Sequence, residues 1–111
     1  MNLNNKKFVT RSNPSGLSSD ATIFYYYENE ETVTATYKGG EIIEGFIIGK
    51  RIGANRIELL YQCLTKDGTL KAGEAKGIIS KNETDQLVLK YDWNWLNGDL
   101  LGGVSEYIEM D

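Results

Sequence analysis

Residues 85–99 read Asp-Gln-Leu-Val-Leu-Lys-Tyr-Asp-Trp-Asn-Trp-Leu-Asn-Gly-Asp. Leu87, Leu89, Tyr91, Trp93 and Trp95 take alternate positions, with Lys90, Asp92 and Asn94 between them. Period two is the signature of a β-strand with one dry and one wet face. Asn97-Gly98 then predicts a tight hairpin, because both central residues of a type I′ turn need positive φ. Both tryptophans of the chain lie on that one dry face. Such a face is either the heart of a β-core or the wall of a binding site.

The same pattern extends in both directions. Lys6 to Arg11 reads as a short extended segment, followed by the turn-forming loop Ser12 to Ser19. Ala21 to Glu28 carries Phe24 and the run Tyr25-Tyr26-Tyr27, a strand covered on both faces or bearing an outer contact surface. Thr32 to Lys38 alternates Val33, Ala35 and Tyr37 with threonines, and Gly39-Gly40 signals a hairpin. Glu41 to Lys50, Ile57 to Leu64 and Leu70 to Ser80 read as three further strands. Leu100 to Met110 makes the last, ending in a short acidic tail. Short turns make sequence neighbours antiparallel sheet neighbours, and a meander this long loses its exposed edges by closing. The expectation is a single all-β domain over residues 1–111: an antiparallel up-and-down meander barrel of about eight to ten strands, lipocalin- or streptavidin-like. A two-sheet β-sandwich is the alternative, since strand order is more legible than closure. Gly45, Gly73 and Gly77, with Ala75, fall where inward-facing residues would leave a barrel partly vacant.

Composition narrows the function. The chain has 111 residues, a formal charge of −4 and no histidine. Lys6-Lys7 and Lys50-Arg51 are isolated basic pairs, so no stripe exists to bind nucleic acid through its phosphates. No apolar run approaches the roughly 20 residues of a membrane helix, and the N-terminus lacks the apolar core of a secretory signal. With one cysteine, Cys63, no internal disulfide forms. A cytoplasmic protein without membrane or nucleic-acid partners is the expectation. The missing histidines exclude Ser-His-Asp and Cys-His nucleophiles and the common zinc ligands, so no metal and no cofactor is expected. Glu28 to Glu31 reads as a solvated hairpin tip and Asp99 as a turn stabiliser, while Cys63 alternates with apolar residues as a small buried hydrophobe. Asp92, Asp99 and Glu106 are the only carboxylates worth naming for acid–base work.

One set of residues stands in a familiar order. Tyr37-Lys38-Gly39-Gly40-Glu41-Ile42, Gly45, Ile48-Gly49, Tyr61, Asp67-Gly68, Gly73, Trp93-Asn94-Trp95, Gly98-Asp99, Gly103 and Ser105 resemble a family of small bacterial proteins usually labelled N-acetylglutamate synthase. Lys6-Lys7-Phe8, Ser12-Asn13 and Ser18 to Phe24 extend the resemblance over nearly the whole chain. The resemblance implies a lipocalin- or avidin-like meander barrel. Tyr91 stands where relatives usually have a Glu, and Leu100-Leu101 where they tend to have polar residues. The family label implies acetyl-CoA and glutamate as substrates. Common acetyl-CoA transferases cradle the pyrophosphate on a glycine-rich turn opening a helix. The nearest string, Lys50-Arg51-Ile52-Gly53-Ala54-Asn55, has different spacing and runs into an alternating strand.

What remains is an aromatic interior. The candidate ligand site consists of Tyr37, Tyr61, Trp93 and Trp95, with Tyr91 at its mouth and Phe24 and Tyr26 nearby. An eight-stranded barrel either fills with side chains or holds one small ligand. The leading expectation is non-catalytic binding of a small, partly apolar or aromatic molecule. The alternative is a filled core whose exposed Tyr25-Tyr26-Tyr27 and Leu100-Leu101 residues form a homodimer or other protein-contact face.

Overall fold

A computed structural model describes residues 1–110; Asp111, the end of the acidic tail, lies outside the described residues. The chain forms β1 (Lys6–Ser12), β2 (Ile23–Asn29), β3 (Thr32–Gly39), β4 (Ile42–Arg51), β5 (Arg56–Thr65), β6 (Leu70–Lys81), β7 (Leu87–Trp95) and β8 (Gly102–Met110). Each strand pairs antiparallel with the next, and β1 pairs with β8, so the sheet is a closed barrel and not a sandwich. No helix occurs among the described residues. Lys50 to Asn55 is accordingly the end of β4 and a hairpin turn, with no helix N-terminus to receive a pyrophosphate.

Alternation decides what goes inside. Along β7 every residue from Leu87 to Leu89 is buried, then Tyr91, Trp93 and Trp95 point in while Lys90, Asp92 and Asn94 point out. On β2, Phe24 and Tyr26 are buried and Tyr25 and Tyr27 exposed. Three irregularities in register fall at Thr10/Ser12, Tyr37/Gly39 and Ile42/Glu44. All three lie at one end of the barrel, the end bearing the β1–β2 loop, where bulges let the strands bend around a rim.

The opposite end is plugged. Phe8, Val33, Ile57, Ile79 and Leu89 form a solid layer there, and Leu3 of the N-terminal turn is fully buried against it. Its backbone N–H donates to Glu28 Oε1 at 2.9 Å. Arg51 Nη2 donates to the same oxygen at 2.7 Å and to the Met1 carbonyl at 2.9 Å, while Nε reaches Glu28 Oε2 at 3.0 Å. Glu28 is therefore an inward ion-pair partner and not part of a solvated tip; only Glu30 and Glu31 occupy the exposed turn. The buried guanidinium satisfies the carboxylate twice over, which burial of a charge requires.

The β7–β8 connection also differs from the two-residue turn expected. It runs from Leu96 to Leu101, with positive φ at Gly98 (74°) and Leu100 (60°) and not at Asn97. Asn97 is spent on docking instead: its Oδ1 accepts from Ala72 N–H and its Nδ2 donates to the Leu70 carbonyl, both at 2.9 Å. Asp99 Oδ1 accepts from Leu101 N–H at 2.9 Å, the turn-stabilising role its sequence position suggests. Leu100 thus belongs to the loop, and β8 starts two residues later than expected.

Candidate functional site

Above the solid layer, the inward face of the barrel turns aromatic and polar. Three tyrosines each face a glycine on the neighbouring strand: Tyr37 opposite Gly45, Tyr61 opposite Gly73, Tyr91 opposite Gly77. A Cβ on any of these glycines would overlap the ring that covers it. The glycines therefore do not leave vacancies of their own, contrary to the sequence expectation; they make room for rings lying flat across the sheet. Ala75 lies between Gly73 and Gly77 and opposite Trp93, and its small side chain leaves the remaining gap open.

The gap is a cavity with room for water centres of about 50 Å³. At roughly 10–15 Å³ per water centre, it holds about three to five waters. All five sequence candidates line it. Trp93 and Trp95 stand edge to face, 5.3 Å apart, and Tyr61 meets Trp95 at 5.5 Å. Tyr37 stacks on Phe24 at 4.8 Å and donates from its hydroxyl to the Gln62 carbonyl at 3.2 Å. Lys71, in the inward register of β6 opposite Cys63, places its Nζ 4.2 Å from the Trp95 ring centre, a cation–π contact at the rim.

The order of these residues from rim to floor differs from expectation. Tyr61 is the half-exposed ring at the mouth, whereas Tyr91 is buried at the floor. The Tyr91 hydroxyl is 2.8 Å from that of Tyr26, with both rings enclosed. Burial pushes both hydroxyls well above the usual tyrosine range, so both are neutral and bound to each other. Cys63 also faces the cavity, and burial pushes its thiol up, away from nucleophilic character. The carboxylates considered for acid–base work lie elsewhere: Asp92 and Asp99 are exposed, and Glu106 pairs with Arg11 at 3.7 Å.

Sequence reasoning missed the polar wall. Ser105 and Tyr107 point in from β8, facing Tyr91 and Leu89 in register. The segment between β1 and β2 folds over the rim and adds Asn13, Leu17 and Ser18 to the lining. This loop is pinned: Thr22 Oγ1 donates to the Gly39 carbonyl at 3.0 Å, and Asn13 Nδ2 donates to Ser18 Oγ at 2.8 Å. Ser18 Oγ and the Tyr107 hydroxyl are 3.4 Å apart. Burial raises the Tyr107 hydroxyl, partly offset by the nearby Ser105 and Ser18 hydroxyls. Two buried atoms of this wall, Asn13 Oδ1 and Ser105 Oγ, have no hydrogen-bond partner in the protein. The alternation of Gly103, Ser105 and Tyr107 is a readable signal for β8. Nothing in the spacing of Asn13 and Ser18 announces that their loop closes over a barrel mouth.

A closed eight-strand meander with a cavity under one rim now stands beside the family comparison. The family model described as avidin-like protein matches residues 1–110. This chain belongs to the avidin-like family. No curated protein and no solved structure gives a significant match. The lipocalin- or avidin-like barrel implied by the sequence resemblance is thus the fold of the chain, and small barrels of this family typically bind small molecules.

Proposed function

We propose that this avidin-like barrel binds, without chemical conversion, a small molecule whose apolar body enters between Trp93, Trp95 and Tyr61. Its polar end carries an N–H beside a C=O. The observation that carries this reading is that two residues lining the cavity, Asn13 and Ser105, each hold a buried side-chain oxygen without a hydrogen-bond partner. An orphaned buried polar atom costs about 1–3 kcal/mol unless something in the cavity satisfies it. Asn13 Nδ2 is held by Ser18, and its unpartnered Oδ1, an acceptor only, calls for an N–H donor. The Ser105 hydroxyl can donate to an adjacent carbonyl. Amides, lactams and cyclic ureas carry that pairing on a small body, part of which would extend past Tyr61 at the mouth. An apolar cleft with few polar groups is the ordinary form of a small-molecule site.

The test is a titration followed by tryptophan fluorescence, using 2-pyrrolidinone and 2-imidazolidinone against cyclopentanone, which lacks the N–H. Saturable binding is expected for the first two and weaker binding for the third. Ser105→Ala and Asn13→Ala should each weaken the amide probes about tenfold, the scale of one buried hydrogen bond. Ala75→Phe, which fills the gap, should abolish binding while the fold persists by far-UV circular dichroism. No saturable response to any probe, or an undiminished response in Ala75→Phe, refutes the reading.

A further inference from the structure

Asn97-Gly98, the pair read from sequence as a tight turn, sits instead in the exposed β7–β8 loop with its amide engaged elsewhere. Asn97 Oδ1 accepts from the Ala72 N–H and Nδ2 donates to the Leu70 carbonyl, both at 2.9 Å, so the side chain is held at both ends by β6. Gly98 follows at φ 74°, and among the described residues its N–H donates to no group. A methyl on Gly98 would lie 3.8 Å from Lys71 Nζ, so an ammonium group also borders the pair. No other asparagine of the chain is followed by glycine.

These are the parts of an intramolecular acyl transfer. A side chain on the residue after an asparagine shields its backbone nitrogen from the asparagine amide, and glycine has none. When solvent base takes the Gly98 amide proton, the nitrogen can add to Asn97 Cγ. An N–C bond forms and the π pair of the side-chain carbonyl moves onto Oδ1. The Ala72 N–H already donates to that oxygen, and the Lys71 ammonium lies nearby, an arrangement that stabilises an oxyanion. The intermediate re-forms its C=O and breaks the Cγ–Nδ2 bond, and Nδ2 leaves as ammonia after taking a proton from water. Water then adds to one carbonyl of the succinimide and opens the ring, leaving aspartate or isoaspartate. We propose that Asn97 is a self-modification site of the folded chain, converted by this route from an amide to a carboxylate. The product has no amide proton for the Leu70 carbonyl, so one clamp on the loop is lost. Its new charge lies beside Lys71, whose Nζ otherwise rests on the Trp95 ring at the cavity rim.

The test is peptide mapping by mass spectrometry of the folded, full-length chain held for weeks in mildly alkaline buffer at body temperature. Asn97 should gain one mass unit, or three in water enriched in oxygen-18, at least tenfold faster than any other asparagine. Asn82 is the internal control: its Oδ1 accepts from the Thr84 and Gln86 N–H groups, but the following nitrogen belongs to Glu83. Gly98→Ala should slow the conversion at least tenfold with the near-UV circular dichroism spectrum retained. The chain unfolded in urea keeps the dipeptide but loses the Ala72 donor, so it should convert no faster than the folded chain. Asn97→Asp, which carries the product's side chain, should lower Tm by about 3 °C, the scale of one exposed hydrogen bond in a domain of this size. Conversion at Asn97 no faster than at Asn82, conversion several times faster in urea, or a Gly98→Ala chain that converts at the parent's rate each overturn the proposal. An unchanged Tm in Asn97→Asp overturns the effect on the loop.

Discussion

The hydroxyl pair at the cavity floor allows a sharp separation of scaffold from site. Tyr26 and Tyr91 are 1% and 4% exposed, and their hydroxyl oxygens are 2.8 Å apart. Removing one hydroxyl leaves the other buried among Phe8 and Tyr107 with no replacement donor or acceptor. Such an orphan costs about 1–3 kcal/mol, so Tyr26→Phe and Tyr91→Phe should each destabilise by about 1.5 kcal/mol. For a domain of this size that lowers Tm by about 6 °C. The double variant removes both polar atoms and leaves two close-packed rings, which should bring stability back within about 0.5 kcal/mol of the parent. The coupling between the sites is then about 2.5 kcal/mol, large for a pair of neutral side chains. Urea unfolding followed by tryptophan fluorescence measures all four proteins, with an unchanged m-value guarding the comparison. The double variant should also bind 2-pyrrolidinone with the parent's affinity, because the proposed site meets the probe's N–H and C=O through Asn13 and Ser105. A double variant as unstable as the two singles summed would refute the orphan argument. One that folds well but loses the probe would place Tyr91 in the ligand site after all.

Two further outcomes follow from the same geometry. Gly73→Ala puts a methyl where the Tyr61 ring lies, so the ring must swing off Trp95 toward the mouth. A loss of about 1–3 kcal/mol and a red-shifted tryptophan emission are expected, whereas Gly53→Ala, with nothing within 4 Å, should change neither. At the plugged end, burial would raise the Glu28 carboxyl, but hydrogen bonds from Arg51 and Leu3 outweigh it and hold it below its ordinary 4.5. Its stabilisation is therefore complete above pH 4.5 and is lost as pH falls through the lower folded value. Glu28→Gln strands the Arg51 guanidinium and should cost about 3 kcal/mol at pH 7, less as the parent is acidified toward about pH 3. A parent-to-variant gap in Tm that stays constant across that range would contradict the assignment.

What the chain discloses unaided follows from period two. The alternation from Leu87 to Trp95 marks which residues face inward, and the short turns set the strand order, because both are local properties of the chain. Closure of β1 on β8 is not local: nothing in Lys7 or Met110 taken alone marks them as partners. The same distinction explains where expectation and structure part. Glu28 reads as a turn residue because its partner, Arg51, lies 23 positions away. Tyr91 reads as a mouth residue because a strand pattern gives a side chain's face but not its depth, which depends on the tilt and stagger of all eight strands. Asn13 and Ser18 escape notice because loop polarity is the norm, and only the folded loop turns two of its polar groups inward.

Depth also separates what the tyrosines do. At the floor, Tyr26 and Tyr91 satisfy each other; at the wall, Tyr37 gives its proton to the Gln62 carbonyl. Those rings complete the barrel and spend their hydrogen bonds within the protein. At the rim the balance reverses: Tyr107 reaches only a long 3.4 Å contact with Ser18, and Asn13 Oδ1 and Ser105 Oγ have none. The spare capacity lies on β8 and the β1–β2 loop, facing the apolar wall of Trp93 and Trp95 on β7. One side of the cavity therefore offers surface and the other offers hydrogen bonds.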